Sequence, residues 1–148
     1  MPQFGRPSTD TYNADLWEED DASTLDIWDQ IDETAFDDAD FIRTLVAPTA
    51  DVYTTQLTSV EDPLSNVNHI VRFRAAKSAA GGAQIDLTVQ LRQGYVSEVT
   101  QGTLIATAGT LTNISEIATT TTYTLSAGEA DAITDYASLF LRFLGNQV

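Results

Sequence analysis

Ile85-Asp86-Leu87-Thr88-Val89-Gln90-Leu91-Arg92 is the stretch whose pattern sets the fold class. Ile85, Leu87, Val89 and Leu91 alternate with polar residues, and a period of two gives a strand one face for a core and one for water. Just upstream, Val71, Phe73 and Ala75 alternate with Arg72 and Arg74, and Ala79-Ala80-Gly81-Gly82 between the runs has turn composition. The two runs are therefore expected to pair as an antiparallel hairpin. Further strands are expected at Val52 to Leu57, Thr103 to Ala108, Thr119 to Leu125 and Ser138 to Leu144, broken by turn-prone Asp62-Pro63 and Ala108-Gly109. Many short strands separated by turns predict an all-β fold, an antiparallel β-sandwich. Ser126-Ala127-Gly128-Glu129 has the form of a capping box, so one short helix, running to about Ile133, precedes the last strand. In that strand Leu139, Leu141 and Phe143 face inward while Phe140 and Arg142 face outward, a pairing suited to a contact between subunits.

The front of the chain differs. Of a net charge of −15, from 22 acids and 7 bases over 148 residues, −11 lies in residues 1–45. There, large apolar residues stand singly among carboxylates, and Pro2, Gly5 and Pro7 interrupt the start. Two regions are expected: an irregular acidic N-terminal arm over residues 1–45 and a β-sandwich domain over 46–148. Leu25, Trp28 and Ile31 have the spacing of one face of a short helix, with Ser23 or Thr24 as N-cap. Most of the aspartates read as solvated charge. Phe4, Trp17 and Trp28 are too large and apolar for a free tail and read as anchors docked on the domain or on a neighbour.

The same composition narrows the chemistry. Without cysteine, thiolate metal sites and cysteine nucleophiles are excluded, and a single histidine rules out a multi-imidazole site within one chain. The strong negative charge opposes binding to nucleic acid. No apolar run reaches the ~18 residues of a membrane span, and residues 1–6 lead into acids, not into an apolar signal segment. His69 has no Gly-x-Ser-x-Gly elbow to serve, and reads as a strand-edge histidine. Asp37-Asp38-Ala39-Asp40 offers hard oxygen ligands but lacks the spacing of a calcium loop, and reads as a turn. Thr119-Thr120-Thr121-Thr122 reads as strand propensity with exposed hydroxyls. Neither a catalytic site nor a cofactor is expected.

A family resemblance adds to this. Arg6-Pro7-Ser8, Ile31-Asp32-Glu33, Asp37 through Ile42, His69 through Ala75, Leu87 through Gly94, and Leu125 through Phe143 resemble, in order, a small β-sandwich structural protein of tailed bacteriophages. The resemblance implies a jelly-roll capsid decoration (cement) protein. Its expected partner is the phage major capsid protein, on the capsid exterior of a virion assembled in the host cytoplasm. It also implies a homo-oligomer, a trimer by preference, with no nucleic acid or membrane as partner. Expected partner-binding residues are Phe4, Trp17, Trp28, Phe140 and Arg142. A tail- or fibre-associated protein, or a carbohydrate-binding adhesin module using Tyr53, Tyr95 and Tyr123, stands as the alternative.

Overall fold

The computed structural model describes residues 2–79 and 82–148. Its strands are β1 (Pro7–Asn13), β2 (Trp17–Glu18), β3 (Arg43–Thr44), β4 (Asp51–Leu57), β5 (Ile70–Ala75), β6 (Ile85–Gln93), β7 (Thr103–Leu111), β8 (Thr119–Thr124) and β9 (Leu139–Gln147). A 3-10 turn spans Ile27–Ile31, and the one short helix, α1 (Ala127–Asp131), precedes β9. Five strands form the main sheet in the order β1-β4-β9-β6-β7, with every neighbouring pair antiparallel. Two small sheets, β2-β3 and β5-β8, complete an all-β, sandwich-like fold. The helix starts as its sequence requires: Ser126 Oγ accepts from Glu129 N while the Glu129 carboxylate accepts from Ser126 N.

The alternation in β6 reads through directly, with Leu87, Val89 and Leu91 buried in the core. Two pieces cover this inner face. Over β6 and β7 lies the β5-β8 sheet, which sends in Val71 and Phe73. A Cβ at Gly109 would sit 2.6 Å from Phe73 Cζ, so only glycine lets that ring press onto β7. Over β4 and β9 lies the N-terminal segment, led by Trp17. Its ring stands 6.2 Å from those of both Tyr53 and Phe143, and its Nε1 donates to the Asp51 carbonyl. Gly145 provides the matching gap, since a Cβ there would meet Thr44 Cγ2 at 2.8 Å.

Several expectations are corrected by this arrangement. The hairpin of the Val71 and Ile85 runs does not form: β5 pairs with β8, and β6 lies between β7 and β9. Its supposed turn includes residues 80 and 81, which lie outside the described residues. Ala108-Gly109 is no turn, because β7 runs through it and absorbs a bulge there. Nor are residues 1–45 simply an irregular arm. Pro7–Asn13 is an edge strand of the main sheet, paired with β4, and Trp17 and Ile27 belong to the core. The short helix near Trp28 is a 3-10 turn that buries Ile27, while Leu25 projects into solvent. Neither Ser23 nor Thr24 caps it. Asp10 does so from β1, with its carboxylate accepting from Ile27 N and Trp28 N and also from the Tyr53 hydroxyl at 2.6 Å. One side chain thus ties the edge strand, the 3-10 turn and the core tyrosine together. Burial and the adjacent Asp10 carboxylate push the Tyr53 hydroxyl far above the ordinary phenol range, so it stays a donor.

Candidate functional site

The five residues expected to meet a partner do not come together in one place. Phe4 is 61% exposed and Trp28 is half-buried beside Asp10. Trp17, at 6% exposure, is spent on the core. Phe140 does lie on the opposite sheet face from Leu139 and Leu141, as alternation dictates, yet it is only 5% exposed. Its neighbour two residues on, Arg142, shares that face and is half-buried with it.

What covers them is the connection from β6 to β7. Gly94 and Gly102 both take positive φ, and the intervening residues fold back as a strap over the outer face of the main sheet. Tyr95 is buried against Phe140, with ring centroids 5.7 Å apart. Glu98 takes a two-point contact from Arg142, Nε to Oε1 at 3.2 Å and Nη2 to Oε2 at 2.7 Å, and accepts the Tyr95 hydroxyl at 2.9 Å. Arg92 secures the far end by donating to the Gln101 carbonyl and to Gln90. Partial burial raises the Glu98 carboxyl, but hydrogen bonds from Arg142 and Tyr95 outweigh it and hold the group below its ordinary range. Burial and Glu98 push the Tyr95 hydroxyl upward. Nothing in the sequence between Gly94 and Gly102 marks a strap except the two glycines and the lone acid Glu98, which needs its arginine.

A second cluster lies at one end of the sandwich. His69, just before β5, shares a 2.7 Å hydrogen bond between Nε2 and the Tyr136 hydroxyl, while its buried Nδ1 has no partner among the described residues. A proton on Nε2 is therefore favoured, since an unbonded lone pair costs less than an unbonded N–H. Tyr136 lines a shallow open depression of about 530 Å³ with Asp62, Asn66 and Asp131. Burial, followed by the charges of Asp62 and Asp131, raises the tyrosine hydroxyl. Asn66 bonds Asp131 at 3.3 Å. The depression is open and the imidazole is engaged by Tyr136, so the cluster fits a packed strand end.

The acidic segments fold as turns. Asp37 Oδ1 accepts from Ala39 N, and Asp38 grips Arg74 of β5 through both oxygens, at 2.6 and 2.8 Å. Glu19, Asp20 and Asp21 bring three carboxylates together on the surface beside Arg43, which bonds Glu18. The three tyrosines considered for a sugar platform do not share a face: Tyr53 is in the core, Tyr95 belongs to the strap and packs on Phe140, and Tyr123 bonds Glu129. No family model, no curated protein and no solved structure matches the chain.

Proposed function

We propose that the protein is a virion structural protein, a capsid decoration protein that binds the outer surface of a phage head and stabilises it. The reading begins from the sequence resemblance, and one observation supports it. Phe4, Leu25, Phe36, Phe41, Leu45 and Val46 are exposed although the segment carrying them is laced into the fold. Exposed aromatic side chains on an ordered segment suit contact with a protein surface, and the surrounding charge repels DNA and anionic lipid. With Trp17, Phe140 and Arg142 engaged inside the molecule, the proposed contact residues reduce to Phe4, Trp28 and the other exposed apolar side chains of this segment. Each contact is weak, and a shell that repeats the site many times multiplies them.

The test is occupancy of undecorated heads by the purified chain, with a Phe36→Asp, Phe41→Asp variant as comparison. Wild-type protein is expected to coat heads and raise the temperature at which they burst, and the variant to lose most of that occupancy. Equal occupancy of both would remove the proposed surface, and label found only on tails would transfer the protein to the tail.

A further inference from the structure

The threonine run of β8 lies on a free sheet edge, and its surroundings are unusual for this chain. From Thr103 to Leu125 the only charged residue is Glu116, in a protein carrying 29 charged residues. β7 and β8 therefore carry no charge of their own on a molecule of net charge −15, and the charged side chains that bond β8 are one of each sign, Arg74 at Thr120 and Glu129 at Tyr123. Elsewhere the sheet edges are guarded. β1 and β7 each carry two register shifts, which twist an edge away from neighbours. β5 presents Arg72 and Arg74, the latter tied to Asp38. β8 has none of these guards: its register with β5 is unbroken from Thr119 to Thr124, with no proline and no charge.

The direction of its free groups follows from the ladder. Leu125 N donates to the His69 carbonyl, which makes those two residues a hydrogen-bonded pair. Bonded and non-bonded pairs alternate, so Tyr123 and Thr121 bond β5, while Thr120, Thr122 and Thr124 turn their N–H and C=O outward. All three of these threonines are exposed, and their outward backbone groups have no backbone partner among the described residues.

We infer that β8 pairs antiparallel with β8 of a second copy of this chain, giving a two-fold dimer with a continuous β5-β8-β8-β5 sheet. A copy is the occupant that fits. Two molecules of charge −15 repel over most approaches, and this edge is where their like charge is least: Arg72 and Arg74 of β5 offset Asp38, held by Arg74, and Glu129, held by Tyr123. Antiparallel pairing of a strand with itself requires no second sequence, and Thr122 opposite Thr122 supplies about six backbone hydrogen bonds and threonine cross-strand pairs. The two β5 backbones would lie about 14 Å apart, and Arg74, which reaches from β5 to Thr120, is neutralised by Asp38. This inference does not depend on what the protein decorates, and it specifies two-fold symmetry where the resemblance implied a trimer.

Sedimentation of the full chain at about 0.15 M and about 1 M salt tests it. The expected result is a dimer whose fraction rises with salt, because screening relieves the repulsion. Thr122→Pro removes an outward N–H while leaving the β5 ladder intact, and proline is tolerated at such an edge position. It should weaken dimerisation at least about tenfold without shifting the unfolding transition measured at dilutions where both proteins are monomers. A monomer at both salts, a trimer, or a Thr122→Pro dimer of unchanged affinity would each overturn the inference. Should that variant not fold, amide exchange on the native chain decides. Slow exchange at Thr120, Thr122 and Thr124 that becomes fast on dilution supports the pairing, and fast exchange at every concentration overturns it.

Discussion

Replacing Trp17 by alanine asks whether the front of the chain holds the sandwich closed or only hangs from it. The indole is 6% exposed, packs against Tyr53 and Phe143, and donates to the Asp51 carbonyl. Truncating a buried aromatic of this size costs about 3–5 kcal/mol, because the gap beside Gly145 cannot fully collapse between two strands. Domains are stable by roughly 5–15 kcal/mol, so the loss is a large share of the total. With a urea dependence of about 2 kcal/mol/M, the midpoint should fall by about 2 M. Melting should drop by about 6–20 °C, at about 2–4 °C per kcal/mol for a chain of this size. Far-UV circular dichroism in urea reads this without relying on the deleted fluorophore, and Trp28 emission gives a second probe. Deleting residues 1–24 should be worse, since β4 also loses its partner β1, and the shortened chain should not fold. A Trp17→Ala protein within about 0.5 kcal/mol of the native one would refute this reasoning and return the segment to the status of a tether.

Other perturbations test separate parts of the molecule. Glu98→Gln should cost about 1–3 kcal/mol at neutral pH, less than for a fully buried ion pair because the site is partly exposed. Glu98 titrates lower in the folded state than its ordinary 4.5, so its contribution is present above that pH and is lost as pH falls below it. Acid titration of native and Glu98→Gln proteins should therefore converge as pH drops, and a constant gap would discount the pair. Gly109→Ala should cost about 1–3 kcal/mol by forcing Phe73 off β7, and Phe73→Leu in the same chain should recover part of it in thermal melts.

Strand positions were legible in the sequence because burial on one face leaves a period of two, as in Leu87, Val89 and Leu91. Strand partners were not. Proximity along the chain suggested that the Val71 and Ile85 runs pair, whereas β5 finds β8 more than forty residues away. β1 went unseen because Pro-Ser-Thr-Asp-Thr-Tyr-Asn is composed of turn formers, and only pairing with β4 makes it a strand. The outer face of β9 was half legible. Alternation put Phe140 and Arg142 on the side away from the core, but a surface position is defined by what else covers it, and the strap is held by the non-local pairing of Glu98 with Arg142. Asp10 is the same case, one aspartate among many whose role depends on Ile27, Trp28 and Tyr53 being brought to it.

The place of β9 in the main sheet bears on how the molecule is made. β4 and β6 each pair with it on one side, and it follows all the other strands in chain order. During synthesis β1 can pair with β4 and β6 with β7, but the two halves of the sheet cannot be joined until β9 has left the ribosome, so the earlier strands wait with their apolar sides uncovered. Long-range pairing of this sort slows folding and lengthens the interval in which chains can stick to one another. In that interval the thirteen carboxylates ahead of Leu45, made first, keep nascent molecules apart by like charge.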